Sequence, residues 1–401
     1  MVETPNAGLV ILRRCLFLVS VPLFFVTFAL PVQSKALGAS AVEIGGLFSL
    51  FTFSILLMRP VIGFGIDYFG RRIFFLFAMV FYIGAYTGYA VADGLQTMYI
   101  ARFFQGLGAA LMLISVDTMT SDLVPASDRG QAMGANVEIQ ARSSVVGATI
   151  GFGLVAAIPA LAWTSSFGLF AVLATLALLL ALVQLPETRP ASSTRAATIK
   201  GAGFKPTPAL KRLFLIFVFL GISNALIMPI YLIYLQDNFT SDPRMLSWAF
   251  LPAALVFMFL PSKLGAFADK RNPVVLMVTG MLIAGCLYLT MPLAKGFWSL
   301  VLIYSISVIG WSLIEPTRKS LTAGAAPPGA TARTFGFAEM AFGVGATIGP
   351  LIGGYLYDNV SQTSPFIFNS LLILGTALLS GWLLSGSIIH STVKPGKEIE
   401  E

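Results

Sequence analysis

Twelve stretches of this chain run for about twenty residues with few charges, and few folds can hold them. A hydrocarbon core about 30 Å thick is crossed by about 20 apolar residues as helix. The stretches fall at 11–33, 41–64, 73–92, 96–120, 131–157, 163–185, 210–236, 244–267, 273–293, 297–322, 334–357 and 364–388. In lipid every backbone polar group must be met within the segment, which a helix does. Composition agrees: charged residues are 11% of 401, against roughly 25% in soluble domains. The fold class expected is an all-α membrane protein of twelve transmembrane helices. The run after Arg13-Arg14 begins like a signal peptide, but no small-residue cleavage site follows cleanly, so it is read as a retained first helix.

Lys and Arg in short loops set orientation. With the N-terminus inside, nineteen of them, from Arg13 to Lys397, fall on cytoplasmic segments, and only Lys35, Arg244 and Lys295 fall outside. Both termini are expected in the cytoplasm of a bacterial-type inner (plasma) membrane. The net charge of +7 is then a topological signal meeting anionic lipid, and no nucleic-acid partner is needed to explain it. Residues 186–209, rich in Pro, Ser, Thr and basic side chains, read as a linker. The expected organisation is a six-helix bundle over 1–185, a cytoplasmic linker over 186–209, a second six-helix bundle over 210–388 and a cytoplasmic tail over 389–401.

The chain also repeats itself. Residues 147–151 and 345–349 both read Gly-Ala-Thr-Ile-Gly, an offset of 198. Pro31 with Pro229 and Asp117 with Glu315 share that offset, while Gly63 with Gly265 and Asp67 with Asp269 sit at 202. Two homologous, pseudo-symmetric six-helix units follow, a transporter plan in which the substrate site lies between the halves.

After the second span the chain reads Gly63-Phe-Gly-Ile-Asp67-Tyr-Phe-Gly70-Arg71-Arg72, echoed at Gly265-Ala-Phe-Ala-Asp269-Lys270-Arg271. This resembles the signature loop of the major facilitator superfamily. The resemblance implies that fold, and a conformational latch of Gly63, Asp67, Gly70, Arg71 and Arg72 with Asp269 at the repeat. The fourth span, Arg102-Phe-Phe-Gln105-Gly106-Leu-Gly108, is similar to the family's fourth-helix motif, and the likeness makes Arg102 a partner in proton handling. The other reading of Arg102 is a long stem snorkelling to the outer surface. A Gly-rich run ending Gly349-Pro350-Leu-Ile-Gly353-Gly354 resembles the antiporter motif, but stands in the eleventh span; the fifth has Phe152 where the proline would be. Taken together the motifs resemble the drug–proton antiporter (multidrug and metabolite efflux) branch most. Members of the family act mostly as monomers, and a monomer is expected here.

Ionisable residues inside the membrane are costly and mark function by default. Five stand out: Asp117, Glu138, Arg142, Glu315 and Glu339. Glu138 and Arg142 are four apart and can pair. Asp117 and Glu315 occupy matching positions and are candidates for carrying protons. Glu339 has no base three or four positions away and reads as an unpaired acid, a proton or substrate-cation site. Phe24, Phe28, Asn224, Tyr231, Tyr234 and Trp311 are candidate cavity-lining residues, since aromatic walls suit amphipathic ligands. Pro31, Pro229, Gly349 and Pro350 are candidate bending points.

These features point to a secondary transporter, a proton-coupled exporter of a small amphipathic or cationic compound such as a drug or a metal-chelating metabolite. A symporter or facilitator importing a sugar or organic acid is the alternative. A membrane-embedded enzyme is a distant third: the lone His390 and the separated Cys15 and Cys286 supply no metal site or nucleophile cluster. No Gly-x-x-x-x-Gly-Lys-Ser/Thr loop is present, so the expected energy source is a proton gradient, with no cofactor.

Overall fold

In a computed structural model, the described residues are 7–125, 128–158, 161–189, 206–249, 252–253, 256, 272–327 and 331–384. They are helical throughout, with no strand among them. The helices are α1 (Ala7–Ser20), α2 (Leu23–Ala36), α3 (Ala41–Phe69), α4 (Arg71–Ala90), α5 (Leu95–Leu123), α6 (Arg129–Ala157), α7 (Ala162–Gln184), α8 (Pro208–Asn238), the short α9 (Pro243–Trp248), α10 (Pro273–Thr290), α11 (Phe297–Gly324), α12 (Thr331–Asn359) and α13 (Ser364–Leu384). Ten spans among the described residues are long and apolar enough to cross a membrane. The helix α6 is long enough but carries Gln131, Asn136, Glu138, Gln140 and Arg142, which lower its hydropathy. Most of the eighth expected span, the linker and the C-terminal tail lie outside the described residues.

The first expected helix is two. Its break falls at Val21-Pro22, because the ring of Pro22 removes a donor and disfavours helical backbone in the residue before it. Pro31 lies inside α2, and Pro229 and Pro350 lie inside α8 and α12, so these expected bending points fall within continuous helices. Two other helix starts follow local chemistry: Thr207 Oγ1 accepts from Leu210 N at 3.2 Å and Asn272 Oδ1 accepts from Val274 N at 2.9 Å, each followed by a proline at the first helical position.

By contacts the chain forms two compact units, one within 1–40 and 46–202, the other within 41–45 and 203–401. In the first, α4 packs on α5 and α7, and α6 packs on α1 and α2. In the second, α10 packs on α11 and α13, and α12 packs on α8. Each unit is thus built on one scheme, and the repeated pentapeptide shows why. A Cβ at Gly147 would fall on the Val21 carbonyl and one at Gly151 on the Phe25 ring; at Gly345 and Gly349 it would fall on the carbonyls of Val218 and Ile222. Glycine is therefore a packing requirement where α6 meets the first span and where α12 meets α8.

Candidate functional site

Between α3 and α4 in the first unit, Gly70 adopts φ +99°, a region only glycine enters freely, and starts α4 without a side-chain cap. Its orphan amides are met from a distance. Glu187 Oε1 accepts from Arg71 N at 2.9 Å and Oε2 from Arg72 N at 3.1 Å. A Cβ at residue 70 would also strike that carboxylate. Arg71, nearly buried, donates from Nε to Asp122 Oδ2 at 3.1 Å and from Nη1 to the Ile66 carbonyl at 3.3 Å. The strap after α7 completes the cluster: Thr188 Oγ1 donates to Asp122 Oδ2, and Arg189 Nη1 to the Tyr68 carbonyl at 2.7 Å. Burial alone would push the Glu187 carboxyl up, but the amides of Arg71, Arg189, Arg72 and Thr188 outweigh it and hold the group below the usual carboxylate range. The geometry thus gives Gly70, Arg71 and Arg72 a joint structural role. The surroundings of Gly63 and Asp67, and all of Asp269, lie outside what the structure describes.

Arg102 does not snorkel. It is buried, with Nη1 donating to Gln105 Oε1 at 2.7 Å and Nε to the Leu47 carbonyl at 3.2 Å. Its guanidinium sits 4.3 Å from the Phe51 ring centroid and 5.0 Å from Phe48. Tyr89 Oη donates to the same Gln105 oxygen at 3.0 Å. Carbonyl oxygens and aromatic faces hold this charge, with no carboxylate partner among the described residues.

The five intramembrane charges sort into three arrangements. Glu138 and Arg142 pair with each other on the exposed face of α6. Arg318, 4% exposed, binds Glu315 Oε1 at 2.9 Å and Glu339 Oε1 at 2.8 Å, with the Phe342 ring 4.8 Å from its guanidinium; Lys319 adds a second cation 3.4 Å from Glu315. Glu339 is therefore not an unpaired acid. Its partner comes from another helix, which spacing along α12 does not reveal. Asp117 remains, and no basic side chain pairs with it among the described residues. It edges a cavity of about 260 Å³ lined by Leu113, Val116, Met133, Gly134, Asn136, Val137 and Gln140, all from α5 and α6. Asn136 is fixed there, donating to Thr120 Oγ1 at 2.8 Å and accepting from Arg13 Nε at 3.3 Å.

The aromatic candidates separate. Asn224 and Trp311 share a cavity of about 50 Å³ with Tyr288 and Tyr304 in the second unit, where Trp311 Nε1 donates to Tyr288 Oη at 2.7 Å. Tyr231 is stacked on Tyr304 with ring centroids 3.9 Å apart. Tyr234 instead packs on Phe239 and Phe366, and Phe28 on Phe152, as core. Phe24 is partly buried and lines neither cavity. Asp122 and Glu187 were not among the sequence candidates. Residues Pro186-Glu187-Thr188, which follow the sixth span, are the one sequence signal for Glu187.

A family model described as Major Facilitator Superfamily matches residues 15–214 and 213–399. Multidrug resistance protein 1 of Bacillus subtilis (strain 168) is 24% identical over 406 residues, covering 97% of this chain and 100% of that protein. Quinolone resistance protein NorA of Staphylococcus aureus (strain MSSA476) is 22% identical over 364 residues, covering 88% and 90%. Among solved structures, a peptide transporter POT in complex with sulfate superposes with a TM-score of 0.77 at 16% identity, covering 96% of this chain and 95% of that one. The human organic anion transporter MFSD10 (TETRAN) does so with 0.67 at 17% identity, covering 94% and 100%. These structures share the fold.

Proposed function

Because the chain belongs to the Major Facilitator Superfamily, and so is a multi-pass membrane transporter and not an enzyme, we propose that it is a proton-coupled exporter of small amphipathic or cationic compounds, of the drug–proton antiporter branch. Two bacterial relatives are named for multidrug and quinolone resistance, which supports export of drug-like cargo. We place it in the plasma membrane of a bacterial-type cell as a monomer, with both termini cytoplasmic, powered by the proton gradient and using no cofactor.

The observation that carries the coupling is the asymmetry of the acids. Asp117 and Glu315 stand at matching positions of the repeat, yet Glu315 is neutralised by Arg318 and Lys319. At the offset of 198, Arg318 corresponds to Thr120 and Lys319 to Ser121. The first unit thus lacks both cations, and its acid is left to exchange a proton for a cationic cargo. A charge at membrane depth is tolerated where it faces water or a ligand. The charged cluster around Arg71, Asp122 and Glu187 fits the part of the family's conformational latch, and Arg102 with Gln105 and Tyr89 a buried polar relay.

The test is transport in reconstituted vesicles. An imposed pH gradient is expected to drive ethidium against the direction of proton flow, and Asp117→Asn to abolish the acceleration. Ethidium movement indifferent to the gradient in the unmodified protein would overturn the reading.

A further inference from the structure

Arg102 brings a full charge into the first unit, and no described carboxylate neutralises it. The residue is 5% exposed. Its Nε and Nη1 are met by the Leu47 carbonyl and by Gln105, and the rings of Phe48 and Phe51 lie beside the guanidinium. Nη2 makes no hydrogen bond to a described residue. The helices α1, α2, α4 and α7 hold no acid at all. Along α5 the nearest acid, Asp117, stands about 22 Å away by helical rise. Glu43, at the start of α3, is exposed and forms no ion pair with Arg102.

Two hydroxyls in the same layer are unused. Tyr86 and Tyr89 are three apart on α4 and share a face. Tyr89 Oη already donates to Gln105. Tyr86 is wholly buried and its Oη has no partner, although it lies close enough for the Arg102 charge to act on it. Ser166 of α7 is also wholly buried, with its Oγ unpartnered. Its level is fixed by its neighbours on that face: the Trp163 ring is 6.2 Å from Tyr89 and the Phe170 ring 6.3 Å from Tyr86. Buried polar groups are paired with few exceptions, and a buried charge without a counter-charge is costlier still. One N–H edge and two hydroxyls, donors all three, thus face an apolar layer with nothing to accept from them.

We propose that the first unit binds one small inorganic anion of the halide class, held by Arg102 Nη2, Tyr86 Oη and Ser166 Oγ. A water would satisfy the hydroxyls but leave the charge uncompensated. The rings of Phe167 and Phe170 close the layer, which favours a monatomic ion over a carboxylate or a phosphate. Arg102 lies about 10 Å from the first residue of α5, so the path from that helix end is short. At the repeat offset of 198 it corresponds to Leu300, so the second unit has no such site and one ion per chain is expected. The ion is a fixed counter-charge joining α4, α5 and α7. It is independent of the cargo and of its coupling to protons.

The test uses chloride and bromide on the purified full-length protein, with gluconate holding ionic strength constant. Chloride should raise the apparent Tm saturably and its NMR line should broaden on the protein; bromide should reproduce the rise and gluconate should not. Tyr86→Phe removes a hydroxyl that has no protein partner, so the fold should stand. It should shift half-saturation to at least about tenfold higher chloride, the scale of a hydrogen bond to a charged group. Arg102→Met should abolish the response. Arg142→Gln, which alters an exposed arginine paired with Glu138, should leave it intact. No halide-specific response in the unmodified protein would overturn the proposal. So would a Tyr86→Phe protein with unchanged half-saturation, whether or not Arg102→Met folds, or a response lost in Arg142→Gln.

Discussion

Removing the Glu187 carboxylate, in Glu187→Ala, should loosen the end of the first unit where α4 begins by a calculable amount. The group caps α4 from outside its own helix, taking the amides of Arg71 and Arg72 at 2.9 and 3.1 Å where Gly70 has no side chain to do so. Losing a helix cap costs about 0.5–2 kcal/mol, and a carboxylate at a helix N-terminus adds about 0.3–1 kcal/mol at low salt. Glu187 is exposed, so solvent screens part of the second contribution. The sum is about 1.5 kcal/mol. At roughly 2–4 °C per kcal/mol for a unit of this size, the apparent Tm of the purified protein should fall by about 3–6 °C at neutral pH. The sign with pH is fixed by the lowered carboxyl: its contribution is full above the ordinary carboxylate range and is lost as pH falls through the folded-state value. The Tm curves of variant and unmodified protein should therefore converge in acid. Equal Tm values at neutral pH, or a gap that persists unchanged in acid, would refute the cap.

Arg318→Met should be destabilising by about 1–3 kcal/mol, because Glu315 and Glu339, both partly exposed, lose the buried arginine that holds them; adding Glu315→Gln and Glu339→Gln should recover most of the loss in thermal unfolding. Gly345→Val should drive α12 off the Val218 carbonyl and abolish a monodisperse gel-filtration peak, whereas Gly336→Ala, with open space around it, should raise stability by about 0.5–1 kcal/mol. Gln105→Leu should leave Arg102 and the Tyr89 hydroxyl without their shared acceptor, costing about 1–3 kcal/mol in thermal unfolding.

The spans, their repeat and the packing glycines were legible because each is written locally: runs of apolar residues, and a pentapeptide that recurs where α6 and α12 need close approach. What failed was everything set by partners distant in the chain. Glu339 looked unpaired because only its own helix was read, and Arg318 reaches it from α11. Glu187 and Arg71 are 116 residues apart, and no spacing rule joins them. The helix break at Pro22 has no counterpart in the repeat, where Leu220 stands inside the continuous α8, so the internal symmetry gives no sign of it. Asp117 was singled out by symmetry, but its distinction came from Thr120 and Ser121, small residues where the second unit carries its two cations.

Proton release on cation binding tests the central claim most directly. Purified protein in weakly buffered solution with a pH indicator, titrated with 1-naphthylmethylamine across mildly acidic pH, should acidify the medium by a saturable amount, and Asp117→Asn should release nothing. Equal release from both proteins, or amine binding with no proton displaced at any pH, would contradict the account.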